Sequence, residues 1–274
     1  MMARTDTAWC PGCGNFPVRD VLEKAIQELP ITAKNIVLTS GIGQAAKMPH
    51  YLDVNFFNGL HGRSLPLAVG IKLARPELTV ITYSGDGCNY GEGGNHFIHT
   101  IRRRLDITIL TANNQVYGLT KGQSSPTTDL SVKNDLAPQG NQNIPLNPVS
   151  LAIAMGAPFA ARGFVGEREH LKELIKEAIL FKGTALVDIL SPCVTFNKVD
   201  TYQWYRERVF KLESPLTDRY DALRMADLWG DKIPIGVIYR NEGIACREVK
   251  NIFREQITED DIACQLKTRC VMMR

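Results

Sequence analysis

Residues 84–114 read SGDGCNYGEGGNHFIHTIRRRLDITILTANN, and the predicted fold follows from this stretch. A strand-like apolar run over residues 78–83 leads into it, a helix-like segment follows over residues 93–104, and a second apolar run spans residues 106–112. A strand, a helix and a strand at this spacing form a βαβ crossover, which makes the two strands parallel neighbours. Their carboxyl ends then open at one edge of the sheet, where open α/β folds bind ligands.

Two polar motifs follow these strands. Asp86 stands between Gly85 and Gly87 after the first strand, and the pair Asn113-Asn114 ends the second. Mg²⁺ prefers six oxygen ligands and commonly shares them with substrate phosphates. Glycines beside the carboxylate allow the backbone to approach a diphosphate, and the start of the following helix favours an anion. Each motif alone is common in ordinary turns, but together they predict a Mg²⁺ and diphosphate site with Asp86 and Asn114 as oxygen ligands.

The rest of the chain alternates between strand-like and helix-like segments. Predicted strands lie at residues 35–39, 56–57, 159–162, 185–190 and 233–239, and predicted helices at 16–29, 64–74, 148–155 and 167–181. This alternation predicts an α/β fold with an open, mostly parallel sheet that has helices on both faces. The polar stretch 117–147 is predicted to be a functional or mobile loop. We expect one domain over residues 1–242 and a C-terminal extension over 243–274.

Composition limits the possible functions. The 274 residues are 44% hydrophobic and 22% charged, as in soluble globular proteins, and the net charge of +3 is too small to indicate nucleic acid or a membrane surface. We find no apolar run of about 20 residues and no signal-peptide pattern. We therefore expect a cytoplasmic protein whose seven cysteines are thiols or metal ligands rather than disulfides.

Three cysteines stand out by position. Cys10 and Cys13 form a CPGC turn, a spacing that lets two thiolates bind one metal ion or cluster. Cys193 follows the predicted strand 185–190 at the same edge as Asp86. Taken alone, the pair also fits half of a zinc site or a redox pair.

Further motifs narrow the identity. WCPGCG (9–14), SGIG (40–43), GLHGR (59–63), GGNH (93–96) and SPC (191–193) occur in that order around the GDG and NN motifs. Together they resemble the β subunit of 2-oxoacid:ferredoxin oxidoreductases, in the short two-subunit form, over residues 8–242. The resemblance implies a thiamine diphosphate-binding fold. It also implies oxidative decarboxylation of a 2-oxoacid, such as 2-oxoglutarate or pyruvate, with coenzyme A as acyl acceptor and ferredoxin as electron acceptor.

The resemblance also implies roles for individual residues. Asp86, Asn114 and the backbone carbonyl of Val116 would bind Mg²⁺. The other expected cofactor-binding residues are Gly41, Ile42, Gly43, His61, Gly85, Gly87, Cys88, Asn89, Tyr117, Gly118, Leu119 and Thr120.

His61, Arg63 and Lys47 are the candidate catalytic residues. Arg63 could bind a phosphate or carboxylate bidentately, and Lys47 resembles the position that contacts the distal part of the substrate, where it could attract a dicarboxylic acid. The alternative for Arg63 and Lys47 is an ordinary place on the solvated surface.

The predicted iron–sulfur site departs from the family pattern. The resemblance implies a 4Fe-4S cluster on Cys10, Cys13, Cys193 and a fourth cysteine at position 44, where this chain has Gln44. Gln44, water or another residue would supply the fourth ligand, Cys88 would replace it, or the cluster would be labile or lost. We expect a bound cluster.

The chain has no motif for an aminopyrimidine-binding domain. In the family, the glutamate that contacts the aminopyrimidine ring belongs to the α subunit, so we expect this chain to be inactive alone and its site to be completed in a heterodimer. Two alternatives stay open at this point. One is a subunit of a non-redox thiamine diphosphate-dependent 2-oxoacid decarboxylase, and the other is a non-catalytic zinc- or nucleotide-binding module.

Overall fold

Strands and helices alternate along the chain in the computed structural model, which describes residues 7–249. The strands are β1 (Ile36–Ser40), β2 (Asn55–Asn58), β3 (Thr79–Gly85), β4 (Ile107–Asn113), β5 (Val116–Tyr117), β6 (Gln123–Ser124), β7 (Phe159–Phe164), β8 (Thr184–Leu190), β9 (Val209–Lys211) and β10 (Ile233–Arg240). The α-helices are α1 (Asn15–Glu28), α2 (Ser64–Ala74), α3 (Gly94–Arg103), α4 (Pro148–Ala154), α5 (Arg168–Leu180), α6 (Tyr202–Arg206) and α7 (Arg219–Ala226).

Eight of these strands form one sheet in the order β2-β1-β3-β4-β8-β7-β10-β9. Every neighbouring pair in it is parallel except β7 and β10, which run antiparallel. The predicted mostly parallel sheet is thereby confirmed. Strands β3 and β4 are adjacent and in register up to the pair Gly85 and Ala112, so Asp86 and Asn113 follow side by side where the two strands end.

Helices cover both faces of the sheet, as predicted. On one face α1 and α5 contribute side chains such as Leu22 and Ile175, and on the other α2, α3, α4 and α7 contribute side chains such as Leu65 and Phe97. Strands β4 and β8 are buried along their whole length, which explains why their sequences are nearly continuous apolar runs. Each fully buried leucine, isoleucine or phenylalanine side chain stabilises the fold by about 1.5–3 kcal/mol.

The predicted helix over residues 93–104 is confirmed as α3, and a π-helical turn that was not predicted (Gly87–Glu92) precedes it. The predicted loop 117–147 is irregular for most of its length but begins with the small antiparallel pair β5–β6.

The remaining expectations fall partly outside the described residues. The predicted C-terminal extension, 243–274, is described only as far as residue 249, so the domain division stays a prediction. Among the helices of residues 7–249, none combines the length and hydropathy that crossing a bilayer requires.

A candidate cofactor site at the carboxyl edge of the sheet

Asp86 is a buried carboxyl group at this edge of the sheet. It directly follows β3, is 1% exposed, and its Oδ2 accepts hydrogen bonds from the hydroxyls of Ser125 at 2.5 Å and Thr127 at 2.8 Å. Burial raises the pKa of this carboxyl group to about 6, although the two hydroxyls and the Gly87 N–H favour its charged form. The carboxylate is therefore costly to keep charged unless a cation lies beside it.

The two asparagines after β4 have different environments. Asn113 is buried, its Nδ2 donates to Oδ2 of Asp188 at 3.1 Å, and the Thr127 hydroxyl lies 2.8 Å from its Oδ1. Gln115 takes the left-handed conformation at φ 59°, so the chain turns back and the Val116 N–H donates to Oδ1 of Asn114 at 3.1 Å. An amide oxygen has two lone pairs, so Asn114 can still bind a metal ion through the second.

The ring of Tyr117 leaves no room for a side chain at position 87, so a glycine is needed there. A Cβ on Gly87 would lie 2.2 Å from Cε1 of Tyr117, whose ring packs against the π-helical turn. The hydroxyl of Tyr117 donates to Oε2 of Glu92 at 3.2 Å, which fixes the ring there. A glycine was expected here for the approach of a diphosphate, and the ring of Tyr117 is a second, directly observed reason for it.

Cys88 lies among the cofactor motifs. Its Sγ accepts a hydrogen bond from the Gly62 N–H at 3.3 Å, and a Cβ on Gly41 would come within 2.4 Å of the same sulfur. Cys88, which is part of the π-helical turn, therefore contacts both the SGIG turn and the HGR segment.

The three candidate catalytic residues lie in different settings. Nε2 of His61 lies 2.8 Å from Oε2 of Glu92, within hydrogen-bonding distance. The other ring nitrogen, Nδ1, is buried and has no hydrogen-bond partner among residues 7–249. Arg63 is exposed at the N-cap of α2. Lys47 is half-buried, and within the described part of the chain its ammonium group contacts no carboxylate.

The three cysteines predicted to bind a cluster come together. The N–H of Gly14 donates to the carbonyl of Pro192 at 3.3 Å, which holds the CPGC turn against the SPC segment. Burial raises the pKa of the Cys13 thiol, and the neighbouring Cys193 and Cys10 raise it further. In the described range 7–249, no three or more His, Cys, Asp or Glu side chains are spaced to hold a single metal ion.

Gln44 lies next to this group of thiols. Its backbone carbonyl accepts a hydrogen bond from the indole N–H of Trp9, the residue before Cys10, at 2.8 Å. Its side-chain Oε1 is buried and has no partner among the described residues.

Sequence reasoning missed several residues of the site. Ser125 and Thr127 hold Asp86, Glu92 holds His61 and Tyr117, and Asp188 holds Asn113. The hydroxyl-rich SSPTT run in the loop predicted to be functional was the available signal for the first two. For Asp188 the signal was a single charged residue inside an otherwise apolar strand.

Comparison with known proteins agrees with this geometry. Residues 38–189 match the family model of the C-terminal TPP-binding domain of thiamine pyrophosphate enzymes. Residues 193–252 match that of the C-terminal part of the pyruvate ferredoxin oxidoreductase β subunit. Fold and site thus define a thiamine pyrophosphate-binding α/β domain.

Individual relatives specify the family. The chain is 46% identical to the 2-oxoacid:ferredoxin oxidoreductase subunit beta of Saccharolobus solfataricus, covering 88% of this chain and 84% of the relative. It is 40% identical to the 2-oxoglutarate synthase subunit KorB of Methanocaldococcus jannaschii, covering 69% and 70% of the two chains. A solved structure of 2-oxoglutarate:ferredoxin oxidoreductase from Magnetococcus marinus superposes with a TM-score of 0.87 at 33% identity, covering 96% of this chain and 93% of that one. The chain belongs to the β-subunit family of 2-oxoacid:ferredoxin oxidoreductases and is one subunit of such an oxidoreductase.

Proposed function

We propose that this subunit binds thiamine diphosphate and Mg²⁺ through Asp86, Asn114 and the carbonyl of Val116. With an α subunit it would catalyse CoA-dependent oxidative decarboxylation of a 2-oxoacid and pass electrons through a 4Fe-4S cluster to ferredoxin. The observation that carries this proposal is the parallel ending of β3 and β4, which brings Asp86 and the asparagine pair to one point at the sheet edge.

The residues present fit a divalent cation. Asp86 is a fully buried carboxylate whose pKa of about 6 reflects the cost of its uncompensated charge. A cation would remove that cost, and the hydroxyls of Ser125 and Thr127 would keep the carboxylate oriented, as residues behind metal ligands commonly do.

The same residues fit a diphosphate. The π-helical turn begins at Gly87, whose N–H faces the Asp86 carboxylate, and the N–H groups that follow it lie at the same sheet edge, where such groups favour an anion. When bound, thiamine diphosphate supplies the carbanion stabilisation that cleavage next to a keto group requires. On the protein side, Glu92 occupies Nε2 of His61, which leaves Nδ1 as the atom able to exchange a proton with a bound molecule.

The proposed first substrate is 2-oxoglutarate. The half-buried Lys47 ammonium group, which pairs with no carboxylate within residues 7–249, would attract the distal carboxylate of a dicarboxylic acid. The Methanocaldococcus relative is named a 2-oxoglutarate synthase subunit, and the Magnetococcus structure is titled with 2-oxoglutarate, coenzyme A and succinyl-CoA bound. Pyruvate is the competing substrate in the test.

The mouth of the site is suited to an α subunit. Ile42, Leu60 and Leu119 are 44%, 75% and 45% exposed, and each lies on a loop that carries a cofactor motif. Large exposed apolar side chains around a site commonly mark a protein interface. Leu60→Asp should therefore weaken association with the α subunit. Leu180→Asp should leave it unchanged, because Leu180 is also an exposed leucine, at 48%, but lies beside the starts of the strands at the opposite edge.

The function is tested with the anaerobically purified αβ complex. We expect CoA-dependent CO₂ release and viologen or ferredoxin reduction with 2-oxoglutarate, weaker turnover of pyruvate, and no turnover by this chain alone. CO₂ release without reduction of any acceptor would instead identify a non-redox decarboxylase. Absence of any melting-temperature shift with thiamine diphosphate plus Mg²⁺ would favour a non-catalytic binding module.

A further inference from the structure

The three cysteines in and beside the CPGC turn supply one ligand fewer than a four-thiolate site needs. Cys10 and Cys13 lie on the CPGC turn, which packs along residues 191–194 and so beside Cys193, and Gln44 stands at the position where the fourth cysteine was expected. The Trp9 indole N–H binds the Gln44 carbonyl at 2.8 Å, which keeps residue 44 beside this turn.

The Gln44 side chain has an unused acceptor. Its Oε1 is buried and has no hydrogen-bond partner within residues 7–249. A buried polar atom without a partner costs about 1–3 kcal/mol, so its retention indicates a partner that arrives with a bound group. A neutral amide oxygen binds iron more weakly than a thiolate does, because thiolates are the preferred ligands of iron–sulfur clusters.

Cys88 is unsuited to complete the set. Its sulfur accepts the Gly62 N–H at 3.3 Å and packs against Gly41. These contacts place it on the diphosphate side of the site, away from the CPGC turn.

The ligand set has a consequence for electron transfer. Each thiolate adds one negative charge to a cluster, and the net charge is one of the factors that set the reduction potential. Replacing one thiolate with a neutral amide makes the cluster less negative and so easier to reduce. Hydrogen bonds to the ligand sulfurs act in the same direction: Asn15 Nδ2 lies 3.5 Å from Sγ of Cys13, and the Phe196 N–H donates to Sγ of Cys193 at 3.4 Å.

We infer that Oε1 of Gln44, and not a fourth thiolate, faces the fourth iron of a cluster held by Cys10, Cys13 and Cys193. That iron is therefore exchangeable, and the cluster has a higher reduction potential than a four-thiolate cluster in the same place. The inference rests on one part of the proposed function, namely that this site holds a 4Fe-4S cluster.

The test compares the wild-type αβ complex with Gln44→Cys, both purified anaerobically. Mild oxidation should remove one of the four irons from the wild-type site and give the EPR signal of a three-iron cluster, whereas Gln44→Cys should keep all four. In an EPR-monitored redox titration the Gln44→Cys potential should shift downward. Cys88→Ser should leave iron content and the EPR response as in the wild type.

Several results would overturn the inference. They are equal resistance of the wild type and Gln44→Cys to iron loss, equal potentials in the two proteins, or iron loss in Cys88→Ser that matches loss of a ligand. A wild-type site without iron would do the same. CO₂ release from labelled 2-oxoacid with an artificial acceptor tests the proposed function separately, because binding of thiamine diphosphate does not involve this site.

Discussion

The hydroxyl oxygen of Thr127 lies 2.8 Å from Oδ2 of Asp86, although 41 positions separate the two residues in the chain. The same hydroxyl lies 2.8 Å from Oδ1 of Asn113. One side chain of the long loop therefore bridges the ends of β3 and β4 at the proposed metal site.

Thr127→Val should weaken Mg²⁺-dependent binding of thiamine diphosphate, because it removes this hydroxyl at constant side-chain volume. Loss of a residue that orients a metal ligand typically lowers metal affinity by about 10–100-fold. Titration calorimetry of the αβ complex measures the change. Thr217→Val, which alters an exposed threonine before α7, is the control. Equal affinities for all three proteins would contradict the proposed role.

Asp86→Asn should stabilise the cofactor-free chain at neutral pH and abolish the Mg²⁺-dependent binding. The folded pKa of Asp86, about 6, exceeds the ordinary value of 3.8, so the wild type loses stability as the pH rises from about 4 to about 6. Removal of the charge should raise the free energy of unfolding by up to about 3 kcal/mol above pH 6 and by nothing below pH 4. Urea unfolding across this pH range measures it.

Asp200→Asn is a matched control for that experiment. Asp200 is also buried, its pKa is also raised to about 6 by burial, and its Oδ1 has no partner within residues 7–249. It should show a similar stability gain with the same pH dependence while binding of thiamine diphosphate is retained. Loss of binding in both variants would show that the effect at Asp86 is not that of a metal ligand.

Gly87→Ala should destabilise the chain by about 1–3 kcal/mol, the usual cost of overpacking, because its Cβ would lie 2.2 Å from the ring of Tyr117. Tyr117→Ala in the same chain should restore most of this loss. Gly94→Ala meets nothing within 4 Å and should be neutral or stabilising by up to about 1 kcal/mol. Thermal unfolding of the four proteins tests the contact, and an unrescued double variant would contradict it.

Asp188→Leu should cost about 3–5 kcal/mol, since it removes the carboxylate that interacts most strongly with the buried guanidinium of Arg162, its register partner on β7. It also removes the acceptor for Tyr90 and Asn113. Adding Arg162→Met should recover part of the loss, and urea unfolding measures both variants. If the double variant lost as much stability as Asp188→Leu and Arg162→Met lose separately when added together, the two charges would not be coupled.

The sheet was predictable because its signals are local. The apolar runs at β3, β4 and β8 follow from burial on both faces, and the crossover length makes β3 and β4 parallel neighbours. The direction of β10 was not predictable, since an apolar run is the same in either direction and only pairing with β7 decides it.

The candidate site was predictable for residues attached to strand ends and not for the side chains that reach them through the loop. Asp86 and Asn113 follow from their positions, whereas Ser125 and Thr127 reach Asp86 through a polar segment without periodicity. The contact between Tyr117 and Gly87 was also hidden, because a glycine near a phosphate motif has an adequate explanation without it.

The hydrogen bond from the Gly14 N–H to the Pro192 carbonyl joins two segments that are far apart in the chain. During synthesis the CPGC turn leaves the ribosome long before Cys193 exists, so the three thiols cannot form one group until the sheet has been completed through β8. Insertion of the proposed cluster would therefore have to follow synthesis of β8, so the chain must first fold with these three thiols empty.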